Sequence, residues 1–101
     1  MADHSDTSKI VIDLANVSEA GQLHRLLQRE LDFGPYYGRN WNAFWDAITG
    51  FITLPDELAL TSWSHLERAL PEDAATMRGL LEEQRKHLAG LGRTVEITYH
   101  G

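Results

Sequence analysis

The chain has 101 residues, 43% of them hydrophobic, enough for one core and too few for two domains. Nine Lys and Arg against fifteen Asp and Glu leave a net charge of −6, which disfavours phosphate backbones and either favours a basic protein partner or does no more than keep the chain soluble. Cysteine is absent, so disulfides, thiolate zinc sites and a cysteine nucleophile are excluded, and the composition fits a reducing, cytoplasmic setting.

No apolar run approaches the roughly 20 residues of a membrane span, and no basic region followed by an apolar segment opens the chain. Residues 1–8 are polar, lack periodic apolar positions and are predicted to form a disordered tail. Residues 9–101 are the single domain. Ile10, Val11, Ile12 and Leu14 make a run too continuous for a half-exposed strand, which predicts a parallel strand buried on both faces. Ser18 is the predicted cap of a first helix, with Glu19 in its first turn. Leu23, Leu26, Leu27 and Leu31 then repeat at helical spacing, and the helix should end before Gly34 and Pro35. His24, alone beside that series, reads as a surface residue.

Residues 35–50 run Pro-Tyr-Tyr-Gly-Arg-Asn-Trp-Asn-Ala-Phe-Trp-Asp-Ala-Ile-Thr-Gly and hold two of the three Trp, two of the three Tyr and a single carboxylate. Pro35 and Gly38 predict a loop that lifts Tyr36 and Tyr37 outward. In the helix that follows, Trp41, Phe44 and Ile48 form an apolar stripe, while Asn42, Asp46 and Thr49 gather on a polar face. Trp45 sits on the border, where it either roofs the core or joins a contact surface of the kind rich in Trp, Tyr and Arg. Gly50 is the predicted helix cap.

Residues 51–55 connect to a second strand at 58–61. A short helix over 63–70 carries Trp63, Leu66 and Leu70 on one side. The longest helix spans 72–89, opened by Pro71, with Glu72 and Asp73 in its first turn. Its stripe is Ala74, Met77, Leu80, Leu81 and Leu88, interrupted by Gln84, and Glu82 pairs with Lys86 on the outer face. Gly90 and Gly92 end it before a last strand at 94–99. The order β, α, α, β, α, α, β, with helical crossovers throughout, predicts an α/β fold in which about four helices cover a three-stranded parallel sheet.

No phosphate-binding glycine loop, His-Glu-x-x-His or Gly-x-Ser-x-Gly is present. The five His form no i, i+4 pair to mount a metal, so neither metal nor cofactor is expected. Only Asp46 with a nearby His or Tyr could serve catalysis, and the chain reads as a non-enzyme. Arg39 stands almost alone among the aromatics, which argues against nucleic-acid binding.

The segment Tyr36-Tyr37-Gly38-Arg39-Asn40-Trp41-Asn42-Ala43-Phe44-Trp45-Asp46-Ala47-Ile48-Thr49-Gly50 closely resembles the signature of the barstar family of ribonuclease inhibitors, and the likeness extends over most of residues 9–100. The resemblance implies a barstar-like fold and a cytoplasmic bacterial protein that reversibly blocks, one to one, the active site of a small basic guanyl-type ribonuclease or of an RNase-like toxin to which it gives immunity. By position, Asp46 would mimic a substrate phosphate, Tyr36 and Trp45 would be aromatic contacts, and Gly38, Asn40, Trp41, Asn42, Thr49, Gly50 and Phe51 would complete the surface. The chain departs from the family in Arg39, beside Asn40, where an acidic residue is common, and in Asn42, where an Asp is usual. The family's acidic contact on the fourth helix falls near Lys86 or His87, with Glu82 and Glu83 a turn earlier. An alternative keeps the scaffold as a regulatory interaction module with a non-nuclease partner. A monomer is expected, and the aromatics of residues 36–45 would allow a weak homodimer.

Overall fold

Short β-branched runs alternating with longer helix-periodic segments fold here into seven principal elements. The computed structural model describes residues 8–101. They form β1 (Lys9–Asp13), α1 (Ala20–Glu30), α2 (Trp41–Asp46) running on into a π-helical turn (Ala47–Phe51), β2 (Glu57–Thr61), α3 (Trp63–Ala69), α4 (Pro71–Gly90) and β3 (Glu96–Tyr99). The predicted order is the observed one. Of the tail predicted over residues 1–8, residues 1–7 lie outside the described residues. Ser8 is exposed, yet its N–H donates to Asp56 Oδ2 at 3.1 Å and its carbonyl accepts from the Glu57 N–H at 3.0 Å.

The sheet is parallel throughout, in the order β1-β2-β3. Register aligns Ile10 with Leu58, Ile12 with Leu60, and that pair on β2 with Ile97 and Tyr99. Alternation therefore collects these side chains on one face, where Ile12, Leu58 and Leu60 share a core with Leu23, Leu27, Phe44, Ile48, Leu66, Met77 and Leu81 from the helices. The opposite face is open. Val11 is 51% exposed, which corrects the expectation that the first strand is buried on both sides. The helices pack on the Ile12, Leu58 and Leu60 face and β1 is an edge strand, so its β-branched run reflects strand preference more than double burial.

Local hydrogen bonds revise the predicted helix ends. Gln22 Oε1 accepts from the Ser18 N–H at 2.8 Å and the Glu19 N–H at 3.0 Å, so α1 is capped at Glu19, and Ser18 donates to its first turn instead of capping it. His24, expected at the surface, is 3% exposed. It lies at i, i+3, i+7 with Leu27 and Leu31 and so belongs to the buried stripe. At α4, Pro71 opens the helix as predicted. Its far end is a Schellman motif, in which Gly92 takes φ +90° and the Arg93 N–H reaches the Leu88 carbonyl at 2.9 Å. Glu82 pairs with Arg85 at 2.8 Å and accepts the Tyr99 hydroxyl at 2.9 Å, in place of the predicted pairing with Lys86.

Gly50 does not cap α2. The helix continues through it as the π-helical turn, in which the Ile52 N–H bonds to the Ala47 carbonyl five residues back at 3.0 Å. No helix among the described residues is long and apolar enough to cross a membrane.

Candidate protein-contact surface

The loop between α1 and α2 is shaped by three residues with positive φ: Asp32 (56°), Gly34 (85°) and Arg39 (55°). Asn40 then starts α2, its Oδ1 accepting from the Ala43 N–H at 2.7 Å. The two adjacent tyrosines, predicted to point outward together, go opposite ways. Tyr36 is 96% exposed, while Tyr37 turns inward and places its hydroxyl 2.7 Å from His24 Nδ1. Burial pushes the Tyr37 phenol above its ordinary pKa. Gly38 lets the loop lie close to α2, since a Cβ there would come within 3.2 Å of the Ala43 Cβ.

On α2 the predicted division of faces holds. Phe44, Ala47 and Ile48 are buried, whereas Asn42, Asp46 and Thr49 are exposed. Trp41 is half-buried and faces the core. Its indole N–H donates to Asp73 Oδ1 at 2.8 Å, and its ring meets Phe44 edge-on at 5.2 Å between centroids. Among the described residues, no hydrogen bond or ion pair engages the Asp46 carboxylate, and Arg39 reaches only Gln28, at 3.4 Å.

The predicted contact residues divide between two depressions on either side of α2. Tyr36, Gly38, Asp46 and Phe51 line a groove of about 410 Å³ whose wall includes Phe33 and Ala43. Phe51, 80% exposed, and Tyr36 bring large aromatic area to its edges. Trp45 and Thr49 line the other, of about 420 Å³, together with Glu83, His87 and Leu91 from α4 and the residue that follows it. Thr49 Oγ1 donates back to the Trp45 backbone carbonyl at 2.6 Å, which fixes the Thr49 side chain along the helix. Asn40 spends its side-chain acceptor within the chain, and Asn42 and Gly50 are exposed beside the two grooves without lining either.

Sequence reasoning missed Phe33 and Leu91 as groove residues, because a wall built by a loop or a helix end has no periodic signal, and Ala43, whose small side chain lies between the apolar and polar faces of α2. Glu83 was placed only a turn before the expected acidic contact. The fold sets it beside Trp45 and Thr49, whereas Glu82 turns toward Tyr99. Among the described residues no three acidic or His side chains converge to hold a metal ion.

An exposed carboxylate between aromatic walls is suited to receiving a cation from a protein partner once water is excluded. Comparison with known proteins gives the family. The family model described as Barstar (barnase inhibitor) matches residues 7–100. A relative from Bacillus subtilis (strain 168), carrying the name "Putative ribonuclease inhibitor YrdF", is 35% identical over 80 residues, covering 79% of this chain and 88% of its own length.

Proposed function

The chain belongs to the barstar family, and from that premise we propose that it is a cytoplasmic, non-enzymatic inhibitor of a small, basic guanyl-type ribonuclease, either a secreted enzyme or an RNase-like toxin. It acts as a monomer, occluding the active site one to one without chemistry of its own. The observation that carries this reading is Asp46: an exposed carboxylate, unpaired among the described residues, at the rim of an apolar groove it shares with Tyr36 and Phe51. A ribonuclease site is built from cations that hold phosphate, and Asp46 presents them with a negative charge on a rigid helix. Tyr36 and Trp45 are the aromatic anchors. Glu83 supplies a second carboxylate for the groove of Trp45 and Thr49.

Binding draws on the cations left unpaired when the carboxylate is removed, so Asp46→Ala is expected to weaken the complex by about 2–5 kcal/mol or more. A barstar aspartate is itself a reference case for such hot spots, so this size is the family's expectation and not a result of the present geometry. The experiment is calorimetric titration against a panel of bacterial guanyl-type ribonucleases, with Asp46→Ala beside the natural chain. One-to-one binding that collapses in the variant supports the inhibitor and its site together. Binding that survives Asp46→Ala moves the site elsewhere. Silence across the panel turns attention to a regulatory partner that is not a nuclease.

A further inference from the structure

Behind the exposed surface lies a buried histidine that the proposed contacts do not use. His24 reaches from α1 to the loop, its Nδ1 2.7 Å from the Tyr37 hydroxyl. Its ring packs on Trp41 at 4.4 Å between centroids, and Tyr37 in turn packs on Phe33 at 4.8 Å. The groups facing it are Tyr37 from the loop, the uncharged indole of Trp41 from α2, and Asp73 from α4, the carboxylate that accepts the Trp41 N–H. On α1 itself Arg25 and Arg29 are exposed.

The phenol has a second acceptor in reach, the Asn40 carbonyl, but at 3.5 Å it does not compete with a contact of 2.7 Å. By distance the phenolic hydrogen is assigned to the His24 contact, with Nδ1 as its acceptor. That requires a neutral imidazole with its own proton on Nε2.

We infer that His24 is the positioning residue of the contact loop: its neutral Nδ1 holds Tyr37 inward, and through Tyr37 fixes the adjoining Tyr36 and Gly38 toward the partner. The anchor is a property of the free chain, and its consequence for binding rests on the inhibitor reading. Protonation removes the acceptor: the ring can then only donate to the phenol oxygen, and the phenolic hydrogen is left with the Asn40 carbonyl at 3.5 Å, so the loop is held less well as pH falls. Burial keeps the imidazole below its ordinary value against the pull of Asp73, which preserves the anchor at neutral pH.

The test is an NMR titration of the free protein from about pH 7.5 to about pH 5, with Tyr37→Phe and His24→Asn in parallel. In the natural chain the amide resonances of residues 36–39 are expected to follow the His24 ring titration. Tyr37→Phe deletes the hydrogen bond that favours the neutral ring, so His24 should bind protons about fivefold more tightly, the value of one ordinary hydrogen bond, and the loop should cease to follow it. His24→Asn retains an acceptor near the place of Nδ1 and should keep the neutral-pH loop resonances while abolishing their titration. At neutral pH, Tyr37→Phe should also lower the backbone order parameters of residues 36–39. Unchanged order parameters in that variant, or an unmoved His24 midpoint, overturn the anchor. A parallel titration against the ribonuclease panel judges the inhibitor reading separately: failure of the natural chain to bind at either pH leaves the loop result standing.

Discussion

Asp32 ends α1 in the conformation that most helices assign to glycine. With φ at 56° it occupies the position after the C-cap of a Schellman motif, in which the Phe33 N–H reaches the Gln28 carbonyl at 3.0 Å. Its side chain is exposed and, among the described residues, has no hydrogen-bond partner, so nothing in the structure offsets the left-handed strain. Asp32→Gly should therefore stabilise the chain by roughly 0.5–1 kcal/mol, less any gain in unfolded-state freedom. Urea denaturation reads this directly, and an unchanged or lower midpoint in the variant would show that glycine's unfolded-state freedom cancels or outweighs the relief of strain. Arg39 carries the same strain at φ 55°, but beside Asn40 it also helps set the direction of the loop. The strain of the pair brackets the segment that presents Tyr36.

At the scale of elements, Gln84 joins α4 to the surface helix. The π-helical turn diverts the Ile52 N–H to Ala47, which leaves the Ile48 carbonyl without the partner an α-helix would supply. Gln84 Nε2 takes that role from across the interface at 3.3 Å, and both groups are buried. Gln84→Met keeps the volume and deletes the donor, so it should cost about 1–3 kcal/mol, the penalty for an unpaired buried acceptor. A thermal or chemical melt showing no loss would mean that the turn relaxes to an ordinary helix. In the sequence Gln84 appeared only as a break in an apolar stripe. Periodicity reports which face is buried and not which backbone group a polar side chain meets. The element order, the parallel sheet and the polar face of Asn42, Asp46 and Thr49 were legible because they depend on spacing alone. The splitting of Tyr36 from Tyr37 and the burial of His24 were not, since each depends on a contact between segments distant in the chain. His24 at least left a trace, sharing the i, i+3, i+7 row of Leu27 and Leu31.

For the whole molecule, the fold is a layer of helices on one face of a sheet whose other face meets water. Parallel sheets usually lie between two layers. Here the outer face is tolerable because its rows are mostly polar: Lys9, Glu57 and Glu96 in one row and Val11, Ala59 and Thr98 in the next. Charges along edge strands also discourage a second copy from adding to the sheet. The two sides of β1 should accordingly respond differently to the same chemistry. Val11→Thr keeps the β-branch on an exposed site, and its stability change should stay within about 0.5 kcal/mol. Ile12→Thr, at a residue only 1% exposed, removes buried carbon and sets a hydroxyl in an apolar core, which should cost about 2–4 kcal/mol. Chemical denaturation of the two variants at several protein concentrations decides the matter. Equal losses would mean that the outer face is covered in solution, and a loss at Val11 that grows with concentration would identify a second copy as the cover.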